Sequence, residues 1–145
     1  MTDLLDDATG PIIEPPSAEV RERALALART AALAADAKKA LDLCVLDLSE
    51  LSDVFEAIVV CTAANERQLS AVIDEVEERV RLGVGESPIS REGQAGAPWV
   101  LLDYGAVVVH VFSPEARGFY RLERLWGDAP LVDVALEDGE DEAGA

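Results

Sequence analysis

The pattern of apolar and polar positions is clearest in residues 99–112, where two apolar runs flank the turn sequence Asp103-Tyr104-Gly105-Ala106. Turn residues between β-branched runs predict a β-hairpin in which Gly105 adopts a positive φ. The second run is apolar except for His110, so it predicts a strand that is covered on both faces inside a sheet. Alternation separates its side chains into two sets, Val107, Val109 and Val111 on one face and Val108, His110 and Phe112 on the other. We therefore expect His110 to be buried and neutral, with one ring nitrogen hydrogen-bonded.

Apolar runs between turn residues predict the other strands. Residues 41–48 and 55–61 are nearly continuous apolar runs, which predict strands buried on both faces. Residues 86–91 predict a short strand at the sheet edge, because Pro88 cannot donate a hydrogen bond to a neighbouring strand. Together with the helices, the element order is αββαβββα, which predicts an α/β fold with helices packed on a mixed sheet of about five strands.

Helical spacing and end signals predict three helices. The alanine-rich segment 18–39 is strongly helical, with a thin apolar stripe expected at Leu25, Ala28, Ala32 and Ala35. The second helix begins at the N-cap Asn65, with Gln68 completing a capping box, and Gly83 is expected to stop it. Its expected core stripe is Leu69, Val72, Ile73, Val76 and Val80, and its expected i, i+4 ion pairs are Glu75 with Arg79 and Glu77 with Arg81. Ser113 is the expected N-cap of the third helix, which carries Phe119, Leu122 and Leu125 on one side.

Charge divides the chain into one domain and two acidic ends. The net charge is −17, of which residues 1–23 contribute −4 and residues 133–145 contribute −6. Residues 1–16 and 133–145 are expected to be disordered, and 17–132 to form a single domain. The remaining net charge of −7 lies on residues 24–132. This negative charge opposes direct binding to a phosphate backbone and favours a basic protein partner.

The sequence lacks the motifs of common metal-binding, nucleotide-binding and catalytic sites. Cys44 and Cys61 lie in apolar runs and are expected to be free thiols, and with one histidine they do not form a zinc site. No run is long enough to span a membrane and no secretory signal is visible, so we expect a cytoplasmic protein. There is no glycine-rich phosphate loop, no serine on a glycine elbow and no Asp-x-Asp pair. These absences favour a binding protein over an enzyme.

Several motifs occur in a fixed order over residues 37–130. They are the run from Trp99 to Gly105, the run ending Val-Val-His110-Val-Phe112, Arg117-x-Phe119-Tyr120-x-Leu122-Glu123-x-Leu125-Trp126, the sequences 65–68 and 74–77, and Glu92-Gly93. Together they resemble the ribosomal silencing factor (RsfS, Iojap) family. The resemblance implies a nucleotidyltransferase-like topology without the active site, and no cofactor or metal. It also implies a protein that binds the large ribosomal subunit through ribosomal protein uL-fourteen, blocks joining of the small subunit and so represses translation, with little direct rRNA binding.

The chain departs from the family pattern at two places. Glu56, Ala57 and Ile58 stand where the family usually has Asp-Tyr-Phe, and Ala106 stands where it often has an acid. We expect these departures to change contacts at an interface and to leave the fold intact.

The candidate partner-binding residues are Trp99, Leu102, Asp103, Tyr104 and Trp126. Aromatic side chains dominate binding energy at interfaces, although each of these aromatics also fits a position in the core. Asp103 either pairs with a basic residue of the partner or caps the turn. Leu101 is assigned to the core. Two alternatives remain open, a metal-dependent nucleotidyltransferase-like enzyme and a homodimeric scaffold, and the free protein is a possible homodimer in any case.

Overall fold

A computed structural model describes residues 18–93, 96–120, 127 and 129–134, with the backbone alone at 119 and 120. Its elements in chain order are α1 (Ala18–Ala37), β1 (Leu41–Asp47), β2 (Ala57–Thr62), α2 (Glu66–Gly83), β3 (Ser90–Glu92), β4 (Trp99–Asp103), β5 (Val107–Phe112) and α3 (Pro114–Tyr120). The predicted order αββαβββα is confirmed. The expectations for residues 1–16, 121–126 and 135–145 lie outside the described residues.

The five strands form one mixed sheet in the order β1-β2-β5-β4-β3. β2 and β5 run parallel, and the other three pairs are antiparallel. Every residue of β5 is buried, and β5 lies in the middle of the sheet as predicted. β3 is an edge strand as predicted, although it is only three residues long.

The two faces of the sheet have different cover. The helix-covered face packs against α1 and α2 and carries Val45, Val59, Val100, Leu102, Val107 and Val109. The second face carries Leu46, Ile58, Val60, Val108 and Phe112, and it packs against Ala116 of α3. The predicted alternation of β5 between two faces is therefore confirmed.

Helix α2 follows its sequence prediction closely. The Asn65 Oδ1 accepts a hydrogen bond from the Gln68 N–H at 2.8 Å, and all five residues of the expected core stripe are buried. The Gln68 Oε1 accepts from the N–H of Ala64 at 2.6 Å, one residue before the predicted N-cap. The predicted end of the helix at Gly83 is confirmed, because Gly83 is the last residue of α2. The chain then leaves α2 through Gly85, whose φ of +80° suits a glycine.

One of the two predicted ion pairs of α2 forms. The Arg79 Nε lies 2.7 Å from the Glu75 Oε2. The pair of Glu77 with Arg81 was wrong, because Glu77 lies 3.7 Å from Arg91 of the edge strand β3. Arg81 instead lies 3.7 Å from Glu78, one position nearer along the helix. The i, i+4 rule counts neighbours within a helix and does not include a cation from an adjacent strand.

Helix α1 buries more surface than its thin predicted stripe. The buried residues are Ala24, Leu27, Ala28, Ala31, Ala32, Ala34 and Ala35, while Leu25 is half-buried. The stripe is wide because α1 contacts both α2 and the strands β1, β2 and β5. The small alanine side chains allow these elements to approach closely. Leu25 was expected in the buried stripe, and this is corrected, because Leu27 is buried and Leu25 is not.

The prediction that residues 41–48 form a strand buried on both faces was wrong. β1 lies at the sheet edge, and Leu41 and Asp42 are exposed. A register shift separates Leu41 from Cys44, and Asp42 has a φ of 50°. Residues 129–134 cover part of this edge, since the Asp47 N–H donates to the Pro130 carbonyl at 2.9 Å and the Val132 N–H donates to the Val45 carbonyl at 2.8 Å.

The segment 129–134 also packs on the core. Val132 and Val134 lie against the helix-covered face and Ala129 lies against the second face. Val134 falls within the range 133–145 that the sequence predicts as a tail. The packed part of the chain therefore extends two residues beyond the predicted end of the domain at 132.

We expect truncation to distinguish this segment from the residues that follow it. A chain that ends at Val134 should melt close to the full-length temperature, because the acidic residues beyond it lack a burial pattern. A chain that ends at 128 should melt lower by roughly 5 °C or more, since it loses two edge hydrogen bonds and apolar packing. Thermal unfolding monitored by circular dichroism measures both. Equal melting temperatures for the two truncations would contradict a structural role for 129–134.

Candidate functional site

Strand β4 carries half-buried side chains on the second face of the sheet. Trp99, Leu101 and Asp103 are half-buried, and His110 of β5 pairs with Leu101 in the sheet register. These four residues are called the β4 face below. Alternation places them on one side of the sheet, because Trp99, Leu101 and Asp103 are two residues apart. The β4 face is thus a half-buried, largely apolar surface beside a charged edge strand.

Trp99 is held in place by aromatic and polar contacts. Its ring stacks on Phe112 with a centroid distance of 4.9 Å and an interplanar angle of 28°. Its indole Nε1 donates a hydrogen bond to the Nδ1 of His110 at 3.1 Å. A half-exposed tryptophan that is fixed by its neighbours loses little conformational entropy on binding, which favours it as an interface anchor.

His110 is buried and neutral, as predicted. It is 8 % exposed, and its Nδ1 accepts the hydrogen bond from Trp99. Burial lowers the pKa of His110 to about 4, because the charged imidazolium is poorly solvated between strands.

This shift makes the stability of the domain depend on pH. Between about pH 6.5 and pH 4 the unfolded chain binds a proton at His110 that the folded chain does not bind, so acidification favours unfolding. We expect His110 alone to reduce the free energy of unfolding by about 3 kcal/mol as the pH falls through this range. Urea unfolding at pH 7 and pH 4 measures the change, with His110→Leu as the reference. An equal loss in the wild type and this variant would exclude His110 as its source.

The hairpin turn explains Asp103 and Gly105. The Asp103 Oδ1 accepts a hydrogen bond from the Gly105 N–H at 2.7 Å, and Gly105 has a φ of +93°. The Tyr104 N–H donates to the Val107 carbonyl at 2.9 Å. Asp103 therefore caps the turn, which is one of the two roles that the sequence left open.

Tyr104 faces the helices and not the β4 face. It is 5 % exposed and belongs to the core cluster of the helix-covered face. Among the described residues, its Oη is the one fully buried side-chain oxygen or nitrogen without a hydrogen-bond partner. Burial, together with the nearby carboxylates of Glu77 and Glu86, raises the pKa of Tyr104 to about 12. Tyr104 is thus mainly a core residue in this conformation.

The unpaired hydroxyl predicts opposite effects for two substitutions. Tyr104→Phe should increase the free energy of unfolding by about 1 kcal/mol, because it removes a buried polar group that has no partner. Tyr104→Ala should decrease it by about 3–5 kcal/mol, because it leaves a cavity in the core. Denaturant unfolding of both variants tests this. A destabilised Tyr104→Phe would show that the hydroxyl has a partner in solution.

The structure does not bring all five candidate residues to one surface. Trp99 and Asp103 lie together on the β4 face. Leu102 is fully buried on the helix-covered face, because alternation along β4 turns it away from its two neighbours, and we leave it out of the proposed surface. Trp126 lies outside the described residues. Leu101, which the sequence analysis assigned to the core, is half-exposed on the β4 face, and counting alternate positions from Trp99 would have found it.

The departures from the family pattern lie close together. The Glu56 N–H donates to the carbonyl of Ala106 at 2.7 Å, and Ala57 and Ile58 are buried at the start of β2. Glu56 also lies 3.7 Å from the Arg21 guanidinium of α1. These positions therefore contribute to the inside of the domain at the base of the hairpin.

The described residues also limit other kinds of site. Residues 18–93, 96–120, 127 and 129–134 hold no group of three or more histidine, cysteine, aspartate or glutamate side chains placed to bind a metal ion. Among the helices described, none combines the length and apolar character needed to cross a membrane. Cys61 is a fully buried free thiol, and Cys44 is half-buried.

Comparison with known proteins decides the family. The model of the family "Ribosomal silencing factor during starvation" (RsfS) matches residues 21–145. The chain belongs to the RsfS family. It is 40 % identical over 106 residues to the ribosomal silencing factor RsfS of Bacillus subtilis, covering 73 % of this chain and 89 % of that protein. It is 38 % identical over 108 residues to RsfS of Halalkalibacterium halodurans, covering 74 % and 92 %.

A solved structure supports the same RsfS fold. A crystal structure of a protein from Chromobacterium violaceum superposes with a TM-score of 0.68 at 32 % sequence identity, covering 78 % of this chain and 92 % of that one. The curated RsfS relatives are named ribosomal silencing factors. Family membership and the mixed α/β fold expected from the sequence are therefore confirmed.

Proposed function

We propose that this chain binds the large ribosomal subunit through ribosomal protein uL-fourteen and prevents the small subunit from joining, so that translation is repressed in the cytoplasm. Membership of the RsfS family over residues 21–145 is the observation that carries this proposal. To block subunit joining, a protein needs only to occupy space at the surface where the two subunits meet. The proposed function therefore requires no cofactor, no metal and no chemical reaction.

The β4 face is the surface that we propose for docking. It combines Trp99, a half-exposed aromatic with fixed orientation, with the half-exposed Leu101 at the neighbouring position on the same side. Interfaces gain most of their affinity from a few such side chains, surrounded by contacts that exclude water. The negative charge of the chain favours a basic ribosomal protein over RNA phosphates, because like charges repel.

Two measurements test the proposed function. Purified chain should co-sediment with isolated large subunits, and addition of small subunits should then yield fewer joined ribosomes on a sucrose gradient. Isothermal titration calorimetry with purified uL-fourteen tests the proposed partner directly. Normal joining at saturating chain would overturn the proposed function, while inhibition of joining without binding to uL-fourteen would overturn only the partner.

A further inference from the structure

The imidazole of His110 on the β4 face has its protonation site set by a neighbouring side chain. The Trp99 Nε1–H donates to the His110 Nδ1 at 3.1 Å, so Nδ1 is an acceptor. A neutral imidazole that accepts at Nδ1 carries its proton at Nε2. The hydrogen bond from Trp99 therefore fixes both the tautomer of His110 and the position of its Nε2–H.

This Nε2–H is available to a partner. Among the residues that the structure describes, none accepts a hydrogen bond from it, and His110 has no further polar contact. In the described part of the chain, the Tyr104 Oη is the one fully buried polar side-chain atom without a partner. The His110 Nε2 also has no partner among these residues, so it is not fully buried and keeps contact with solvent. His110 therefore offers a donor that the domain itself leaves unused.

The surroundings of His110 make this donor distinctive. Leu101 and Val60 flank it on the adjacent strands, and Phe112 stacks nearby with a centroid distance of 6.2 Å. Two other polar groups of the second face have partners within the protein. The Thr62 Oγ1 accepts from the Arg117 guanidinium at 2.9 Å, and the Asp103 Oδ1 is used in the turn. A partner that covers this apolar surface meets the imidazole N–H at its centre.

We propose that the Nε2–H of His110 is a specificity-determining donor of the β4 face, that it binds an uncharged acceptor oxygen of a protein partner, and that Trp99 is its positioning residue. The proposal rests on the proposed docking function. A donor covered by an interface without an acceptor loses its hydrogen bond to water, so a partner with an oxygen opposite Nε2 is selected over one without it. A main-chain carbonyl or amide oxygen fits better than an RNA phosphate, because the imidazole is neutral and the chain has a net charge of −17.

Three single variants separate the donor from the apolar contacts. His110→Leu removes the donor and keeps an apolar side chain, and it should weaken binding to large subunits by about 10-fold or more. His110→Gln retains an amide N–H near the position of Nε2 and should recover most of the affinity. Trp99→Phe keeps an aromatic ring on Phe112 but removes the indole N–H, and it should weaken binding by roughly 5-fold. Affinities come from co-sedimentation titrations, with melting temperatures to confirm folding.

The double variant tests whether Trp99 acts through His110. If it does, Trp99→Phe combined with His110→Leu should bind no more weakly than His110→Leu alone. Additive losses would overturn the positioning role. Wild-type affinity in folded His110→Leu would overturn the donor role, and a binding loss that disappears at high salt would point to an RNA phosphate instead and overturn the protein acceptor.

A measurement on the free protein separates this proposal from the proposed function. Nitrogen-15 NMR of the imidazole at pH 7 should show the Nε2-protonated tautomer in the wild type and a mixture of tautomers in Trp99→Phe. An Nδ1-protonated wild type would overturn the proposal even if the protein binds ribosomes. If large subunits are not bound at all, the proposed function fails and the docking role of His110 fails with it, while the tautomer result still decides whether Trp99 positions the imidazole.

Discussion

Gly93→Ala is expected to reduce the free energy of unfolding by about 3 kcal/mol, the sum of backbone strain and a steric clash. Gly93 has a φ of +96°, and a Cβ at this position would lie 2.5 Å from the Trp99 carbonyl oxygen and 3.1 Å from the Val100 Cα. Both atoms belong to the backbone of β4, so the strand itself must move. The same movement would displace the Trp99 side chain. Denaturant unfolding measures the loss, and binding to large subunits should weaken as well.

Gly85→Ala is the matched control for Gly93→Ala. Gly85 also has a positive φ, of +80°, but no atom lies within 4 Å of the Cβ that alanine would add. Its cost should be limited to strain of about 1–2 kcal/mol, since a left-handed alanine is strained wherever it occurs. Equal losses in the two variants would show that β4 adjusts freely, and that the close approach of Gly93 to Trp99 has no structural importance.

The hairpin and α2 could be predicted from sequence because their signals are local. β4 and β5 are strongly apolar and are separated by turn residues, and the Gly105 conformation follows from its chemistry. The α2 core stripe repeats with helical spacing over five apolar residues, all of which are buried. In both cases the residues that determine the element lie within it, so no knowledge of the remaining fold is needed.

The edge position of β1 could not be predicted in this way. Its sequence, Leu-Asp-Leu-Cys-Val-Leu-Asp, is as apolar as that of many central strands. Its exposure depends on strand order, and its partial cover comes from Pro130 and Val132, more than 80 residues later in the chain. Val132 and Val134 alternate with the exposed Leu131 and Asp133, but this run is only four residues long and leads into an acidic end, so the sequence analysis did not place it against the core.

The candidate site was predicted in part. The β4 strand was identified, but Leu102 was chosen and Leu101 was left to the core. Alternation from Trp99 gives the opposite choice, since residues 99, 101 and 103 share one face. The hydrogen bond between Trp99 and His110 required tertiary information, because the two residues are 11 positions apart and lie on different strands.

Leu101→Asp is expected to weaken binding to the large subunit by about 100-fold, or roughly 2–3 kcal/mol. Leu101 is half-exposed and pairs with Glu92 on one side and His110 on the other. A carboxylate here would lie in the middle of the proposed docking surface. On binding it would lose its hydration without gaining a placed cation, and this cost falls on the complex more than on the free domain. Co-sedimentation titrations with large subunits measure the effect.

Leu82→Asp provides the matched control for the docking surface. Leu82 is 67 % exposed on α2, which packs on the opposite side of the sheet, and the substitution adds the same charge to the chain. If affinity depends on the β4 face, Leu82→Asp should bind nearly as the wild type does, whereas general repulsion by added negative charge would weaken both variants equally. Leu101→Ala, which removes apolar contact without adding charge, should give an intermediate loss of about 10-fold. Wild-type binding by folded Leu101→Asp would exclude the β4 face as the docking surface, because a bare carboxylate cannot be buried there without a measurable loss of affinity.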